Sequence, residues 1–448
     1  MFDGKDGVLV RITCFVNLPS LRTRWASLFS EFWLSKNLLC SLKGYLKSGR
    51  LLAVDFDQRG FAKIHDFSMD FDTMRARLRS LAQDYPSGVI IPIIESDLKS
   101  LVLAQMVVEL NECDYLKKVF IALSAQSQES YKEAVRVFGA LKVPHHIIWC
   151  NNPHVVSILE ELKNKGLDVT ALSGKGKDVW IAMGIASLEL HSFVIHDADI
   201  LHYTRMLPTK MLYPVIEPKL DFFFAKGYYA RINLEKRKMY GRITRLFMNP
   251  ILEALQEKLQ HKSRFVSYLQ SFSYPLSGEI AIYSDLAMRL RIPCDWGFEM
   301  GLLAELYRNA SYERICEVDL GFYDHKHKEV IGNGLVKTAE DSLVTLLRTL
   351  TETDGIEVSQ PFLQSLQVMY RKMAQDKIRQ YHADATCNNL DYDRHQEECS
   401  VDSLSEAIIA AGKKYLVDPS KTQMPDWLRT KAAMPDIRER LREAAIEN

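Results

Sequence analysis

Phe193-Val194-Ile195 is an apolar run that stops at His196 and then presents Asp197 and Asp199, two carboxylates spaced i, i+2. If the run is a strand, residues two apart share a side, and both acids point at one spot. Like charges placed so repel unless a cation stands with them, which makes the pair a candidate divalent-metal site. The same residues also suit a plain turn after a strand, where Asp bonds local backbone N–H groups. A second strand-like run, Val318 to Phe322, ends at Asp324, His325 and His327. A histidine beside an unpaired acidic pair is a candidate third ligand.

Three further stretches could do chemistry. Ser173-Gly174-Lys175-Gly176-Lys177-Asp178 opens a helical segment, and a helix N-terminus carrying lysines can hold phosphate. It lacks the GxxxxGK[ST] spacing of a Walker loop, and a loop with solvated lysines is the plainer alternative. Tyr274-Pro275-Leu276-Ser277-Gly278-Glu279 is a rigid Pro-led turn; a glutamate after such a turn is more often structural than catalytic. Asp295 to Tyr307 is a Gly-punctuated turn feeding a helix, with Glu299 near its first turn, where an acid also simply complements the helix dipole.

The elements that must position these residues follow from the texture of the chain. GVIIPIIESD, KVFIALSAQS, HHIIWCNN and SFVIHDAD are short apolar runs closed by polar residues, and helical stretches alternate with them. Continuous apolar strands alternating with helices signal βαβ units and a parallel α/β sheet buried on both faces. In such doubly wound, Rossmann-like sheets ligands collect beyond the carboxyl ends of strands, where Glu95 to Asp97, Ser124 to Ser127, Asn151-Asn152 and His196 to Asp199 fall. Before this core, residues 1–84 read as a mixed α+β extension, with a helical pattern in WASLFSEFWLSKNLLCSLKGYLK and a hairpin or two short strands in GRLLAVDFDQRGFAKIHDF. After the core, residues 336–448 read as a helical appendage for packing or oligomerisation.

Composition excludes several classes. The 448 residues are 47% hydrophobic and 25% charged, an ordinary globular balance. Lys+Arg and Asp+Glu both count 57, so no global basic field calls for nucleic acid or an anionic membrane. No secretory leader pattern opens the chain, and no apolar run approaches the roughly 20 residues of a membrane span. Eight scattered cysteines without CxxC pairs suit reduced thiols in a cytoplasm. His382, Cys387, His395 and Cys399 do not have the intervals of a zinc module.

Taken in order, GKGKDVW, FVIHDADI, MYGRIT, YPLSGE, DWGFEMGLL and VDLGFYDHKHK resemble the glucosyl-3-phosphoglycerate synthases, retaining glycosyltransferases of the GT-A fold. The resemblance covers roughly residues 85–335. It implies a mixed-sheet GT-A core, Asp197 and Asp199 as the DxD, and Mg²⁺ or Mn²⁺ on Asp199 with His325 as the distant ligand. It places Pro92, Glu95 and Ser124 at the nucleotide, although Glu95-Ser96-Asp97 stands where the family has an Asn-Glu pair. Lys175 falls near the nucleotide, Leu276, Ser277 and Gly278 beside the sugar, and Glu299 near the donor hexose. Gly241, Arg242 and Thr244 match the segment that holds the acceptor's phosphate and carboxylate. His325-Lys326-His327 replaces the family's His-Arg-Asn. The implied activity is transfer of glucose from UDP-glucose to 3-phosphoglycerate, giving a precursor of the compatible solute glucosylglycerate, in a cytoplasmic homodimer. Two alternatives stand beside it: GDP-mannose as donor to the same acceptor, or a catalytically idle GT-A relative acting as a binding protein.

Overall fold

The computed structural model describes residues 58, 60–325, 334–420 and 423–445. Ten strands are assigned: β1 (Ala62–Ile64), β2 (Ser87–Ile94), β3 (Leu116–Ser124), β4 (His145–Trp149), β5 (Ser192–Ile195), β6 (Phe224–Ala230), β7 (Ile232–Asn233), β8 (Lys238–Met239), β9 (Ile280–Tyr283) and β10 (Ile315–Phe322). Eight of them form one sheet in the order β1-β10-β6-β9-β5-β2-β3-β4, and β7 pairs with β8 in a small ribbon. Within the large sheet every neighbouring pair is parallel except those made by β9, which runs antiparallel to both β5 and β6. The sheet is therefore mixed, as the family resemblance implies, and not parallel throughout as the alternation of strands and helices suggests, because β9 enters antiparallel between β5 and β6.

The strands read as continuous apolar runs because both faces are covered. Along β2, Ile90 packs into one hydrophobic cluster while Val89, Ile91 and Ile93 pack into the other. The first cluster also takes Val179 and Trp180 from the helix Lys175–Ala186; the second takes Leu103 and Met106 from the helix Leu101–Leu110 and Met211 from the helix Met206–Ile216. Residues 50–57 of the stretch read as a hairpin or two short strands lie outside the described residues. Ala62–Ile64 is a short strand at the edge of the large sheet among the described residues and pairs in parallel with β10. The helical pattern at residues 25–47 lies outside the described residues.

The helical region after β10 comprises Gly334–Asp354, Gln360–Cys387, Arg394–Val417, Trp427–Ala433 and Ile437–Ala444. It is packed into the first cluster: Leu343, Leu347, Leu363, Tyr370, Ile408 and Trp427 belong to the same contiguous core as Ile90 and Trp180. Trp427 stacks on Trp180 with ring centroids 4.1 Å apart. The two indoles also exchange backbone contacts, Trp180 Nε1 donating to the Pro425 carbonyl at 2.8 Å and Trp427 Nε1 to the Trp180 carbonyl at 3.1 Å. Gly184 makes room for this stack, since a Cβ there would sit 2.1 Å from the Trp427 ring. Both indoles are fully buried, so Trp427→Ala removes a large apolar volume together with a hydrogen bond. It is expected to destabilise the fold by about 3–5 kcal/mol, read as a lowered midpoint in a thermal or urea melt; an unchanged midpoint would show that the tail contributes nothing to the core.

Candidate active site

Strand β5 ends at Ile195, so the two acids are not aligned by the pleat of a strand. His196 and Asp197 lie in irregular chain and Ala198-Asp199 form a turn. The carboxylates nevertheless meet. Donor atoms of Asp197, Asp199 and His325 all lie within 4.8 Å of one another, the one such potential metal cluster among the described residues. His325 arrives from beyond β10 through an isolated antiparallel bridge with Ile200, supported by Leu201 N donating to the Asp324 carbonyl at 2.9 Å. Its Nε2 lies 4.0 Å from Asp199 Oδ1. Lys326 and His327 lie outside the described residues.

The charge balance around the pair is uneven. Lys175 is the first residue of its helix, and its Nζ lies 2.7 Å from Asp197 Oδ1 and 2.9 Å from Glu299 Oε1. Gly174 and Gly176 let this helix start come close: their backbone packs on Pro293 and Cys294, and a Cβ on Gly176 would sit 2.0 Å from the Pro293 carbonyl oxygen. Burial works to raise the Asp197 carboxyl, but the Lys175 ammonium beside it wins and holds it below the usual carboxylate range. Burial likewise works to lower Lys175, and Asp197 and then Glu299 override it, so the lysine stays charged. Among the described residues no lysine or arginine stands within ion-pair distance of Asp199, and the Arg231 charge only partly offsets what raises it. Burial and then the Asp197 charge push its carboxyl up to about 7. Two hard carboxylate oxygens and an imidazole, one of them short of compensation, are a donor set that suits Mg²⁺ or Mn²⁺.

Strand register brings the Pro-led turn to the same place. Ile195 pairs with Ile280 across β5 and β9. In an antiparallel pair, the residue two beyond one strand end faces the residue two before the other, so Asp197 faces Gly278. Contact is close: a Cβ on Gly278 would lie 2.4 Å from Asp197 Oδ2. Leu276 is half-buried and Ser277 fully buried; Ser277 Oγ accepts from Glu279 N at 3.2 Å. Glu279 is also fully buried and hydrogen-bonded to His196 Nδ1, which gives both residues a structural role behind the acids. Lys226, in the middle of β6, is fully buried and donates to the Ser277 carbonyl at 2.7 Å. Burial pulls this lysine down to about 8, against Glu299 and Glu317. Nothing in the sequence pattern marks Lys226, because a lone lysine inside a strand reads as an outward-facing residue.

The remaining candidates fall into two groups. Pro92 lies in β2 and Ser124 ends β3, where it pairs with Ile94; Glu95 follows directly and accepts from Gln126 N at 3.2 Å. All three occupy the carboxyl ends of adjacent strands. Gly241, Arg242 and Thr244 belong to a different segment. Gly241 has φ +76, the left-handed region, and sits against Tyr274 Oη, which a Cβ would approach to 3.0 Å. Arg242 precedes a π-helix, Ile243–Met248, and its side chain pairs with Glu397 from the helix Arg394–Val417. Thr244 is buried, with its hydroxyl unpartnered. Tyr274, Tyr229, Tyr323 and His325 form a ladder of ring contacts, with successive centroids 4.7, 4.1 and 4.9 Å apart, that runs from the Gly241 turn to the metal cluster. Aromatic residues scattered over three segments gave no sign in the sequence that they stack.

A mixed α/β sheet with an acidic pair, a distant histidine and a helix-borne lysine gathered at its carboxyl edge defines a metal-dependent glycosyltransferase of GT-A type. No protein-family model matches the chain. It is 47% identical over 396 residues to the glucosyl-3-phosphoglycerate synthase of Methanococcoides burtonii, covering 88% of this chain and 98% of that one. The enzyme of the same name from Persephonella marina is 35% identical over 367 residues, 80% of this chain and 90% of the relative. Among solved structures, mannosyl-3-phosphoglycerate synthase from Rubrobacter xylanophilus superposes with a TM-score of 0.50 at 17% identity, over 68% of this chain and 85% of that chain, which is a likeness of fold. The chain belongs to the glucosyl-3-phosphoglycerate synthase family.

Two outcomes test the site geometry. Gly278→Ala should push the Asp197 carboxylate aside instead of unfolding the sheet, because the clash falls on a side-chain end. Mn²⁺ binding by titration calorimetry should weaken by about 10–100-fold with little change in melting temperature; unchanged affinity rejects the Asp197–Gly278 contact. The second concerns pH. Below about 7 the Asp199 carboxyl of the metal-free protein holds a proton that a cation must displace. Mn²⁺ affinity should then be level above that pH and fall by about tenfold per unit below it, less any share taken by His325. A flat profile through this range rejects the assignment.

Proposed function

We propose that the chain transfers glucose from UDP-glucose to 3-phosphoglycerate, with retention at the anomeric carbon, in a site where Asp197, Asp199 and His325 hold Mg²⁺ or Mn²⁺. The observation that carries this reading is the convergence of those three ligands with the Lys175–Asp197 pair, in a chain whose sequence relatives are named for this reaction. The mannosyl enzyme contributes a fold only, so the sequence relatives decide for glucose over mannose. An intact acidic pair, lysine and histidine in mutual reach speak against an idle binding protein.

A cation held there supplies charge neutralisation for the departing nucleoside diphosphate. The chain's residues do the rest. Lys175, charged and braced between Asp197 and Glu299, adds a second positive group on the phosphate side while fixing Glu299 toward the hexose. Pro92, Glu95 and Ser124, on adjoining strand ends, receive the nucleotide. Leu276 and Ser277 line the sugar, and Gly278 keeps the turn close to Asp197. Gly241, Arg242 and the unpartnered hydroxyl of Thr244 form the acceptor end, where a guanidinium suits phosphate and carboxylate. No carboxylate of the quoted motifs is an evident base for the incoming hydroxyl, which favours attack from the leaving-group face, with the diphosphate taking the proton. A cytoplasmic setting suits the free cysteines of the described residues, and the family resemblance supports a homodimer and a role upstream of glucosylglycerate.

The deciding experiment presents several nucleotide sugars with 3-phosphoglycerate and Mn²⁺ and reads the product by mass and NMR. UDP-glucose should give an α-linked product, EDTA should abolish it, and Asp199→Ala should lose more than about a hundredfold in kcat. A β-anomer removes retention, and full activity of the alanine variant in chelator removes the metal site. Arg242→Ala should weaken 3-phosphoglycerate binding by about one to two decades and leave UDP-glucose binding unchanged; equal loss for both ligands puts Arg242 outside the acceptor pocket.

A further inference from the structure

The helix Arg394–Val417 is far in sequence from every motif of the site, yet its first turns grip Arg242. Arg242 Nε donates to Glu397 Oε1 at 2.8 Å and Nη2 donates to Gln396 Oε1 at 2.6 Å. The same Glu397 carboxylate accepts from Arg245 Nη1 at 2.8 Å and Nη2 at 3.4 Å. Arg245 closes the arrangement by donating Nε to the Tyr240 carbonyl at 2.8 Å and lying 4.8 Å over the Tyr381 ring. Glu397 is 3% exposed.

A buried carboxylate shared by two guanidiniums is a poor way merely to attach a tail. Desolvation consumes much of what such a pair gains, and apolar residues of similar volume often serve stability as well. The tail already has Leu363, Tyr370, Ile408 and Trp427 in the common core. What the carboxylate adds is direction. It occupies the Nε side of Arg242, leaves Nη1 outside the ion pair, and through Arg245 holds the Tyr240-Gly241 turn. With two guanidiniums against one carboxylate the cluster keeps one positive charge in excess, the sign an acidic acceptor needs.

We propose that Glu397, supplied by the C-terminal helical region, is a positioning residue for acceptor recognition: it sets the Arg242 fork at the angle that receives the anionic groups of the acceptor. This rests on the acceptor role of Arg242 proposed above. The test is steady-state kinetics of the full chain with Mn²⁺, varying UDP-glucose and 3-phosphoglycerate separately, for Arg242→Ala, Glu397→Gln, Glu397→Asp and Gln396→Ala. Glu397→Gln removes the charge at constant shape and should raise the KM for 3-phosphoglycerate by about tenfold, with the KM for UDP-glucose unchanged and kcat within about twofold. Glu397→Asp keeps the charge but withdraws it by one methylene. A positioning role predicts that it too raises the acceptor KM, whereas a role as mere charge balance predicts that it does not. Gln396 is exposed, so its alanine variant leaves the core intact and should give a smaller rise, about two- to fivefold, in the same constant. That variant keeps the idea testable if both Glu397 variants fail to fold. A selective acceptor defect in Arg242→Ala with unchanged constants in Gln396→Ala and in any folded Glu397 variant overturns the inference alone. No acceptor defect in Arg242→Ala overturns the acceptor reading and this inference with it.

Discussion

Everything at the active edge depends on keeping two carboxylates side by side just past a strand buried on both faces. The protein balances only one of them. Lys175 stands against Asp197 at 2.7 Å and is itself braced by Glu299 at 2.9 Å, so the inner acid is paired before any ligand arrives. At Asp199 burial and the like charge of Asp197 outweigh the more distant Arg231 and Lys175 charges, and its carboxyl rises to about 7 as a result. A cation arriving at the site therefore relieves most repulsion at the outer acid, while the inner acid's bond to lysine keeps the pair from collapsing or turning to solvent without it. The lysine can do this because it opens its helix and because glycines on either side let that helix end press against Pro293 and Cys294.

The antiparallel insertion of β9 brings to this charge device the turn proposed to line the sugar. Were β9 parallel to its neighbours, its leading turn would lie at the opposite edge of the sheet. Running antiparallel, it delivers Leu276, Ser277 and Gly278 to the carboxyl ends of β5 and β6, and the Ile195–Ile280 register fixes which residue meets Asp197. Lys226 secures the arrangement from below through the Ser277 carbonyl. Glycine at 278 follows from that register, because a side chain there would enter the space of the Asp197 carboxylate.

Much of this was legible from residue order, and the unread parts share a cause. Apolar runs alternating with helices gave the α/β sheet, because burial on both faces writes itself into the composition of each strand. The acids, Lys175, Gly278, Glu299 and His325 were legible because chemistry-bearing residues cluster at element ends. The mechanism of convergence was not: strand alternation suggested how Asp197 and Asp199 meet, whereas a turn after Ile195 does it. Parallel pairing of Ala62–Ile64 with β10, the tyrosine ladder to His325, and the buried roles of Lys226, Glu279 and His196 were also hidden. Each depends on contacts between segments distant in the chain, and no local periodicity reports those.

The proposed donor and acceptor halves differ in what makes them rigid. The donor half stands on strand ends, where hydrogen-bond ladders on both sides set positions without outside help. The Gly241–Thr244 segment has no such frame. It follows a left-handed glycine and enters a π-helix, whose wider turn is less stable than an α-turn and recurs at functional sites. Its support comes from the tail: the Tyr370 hydroxyl donates to the Leu246 carbonyl at 2.7 Å, and Glu397 pairs with Arg245 at 2.8 Å. Those contacts fall on adjacent residues in the middle of the π-helix, so the helices after β10 do for the proposed acceptor segment what the sheet does for the proposed donor residues. The Trp180–Trp427 stack then ties the end of the same helical region to the helix that begins with Lys175. One continuous core thus underlies the lysine beside Asp197 and the arginine proposed to read the acceptor, and it holds the two halves of the site at a fixed spacing.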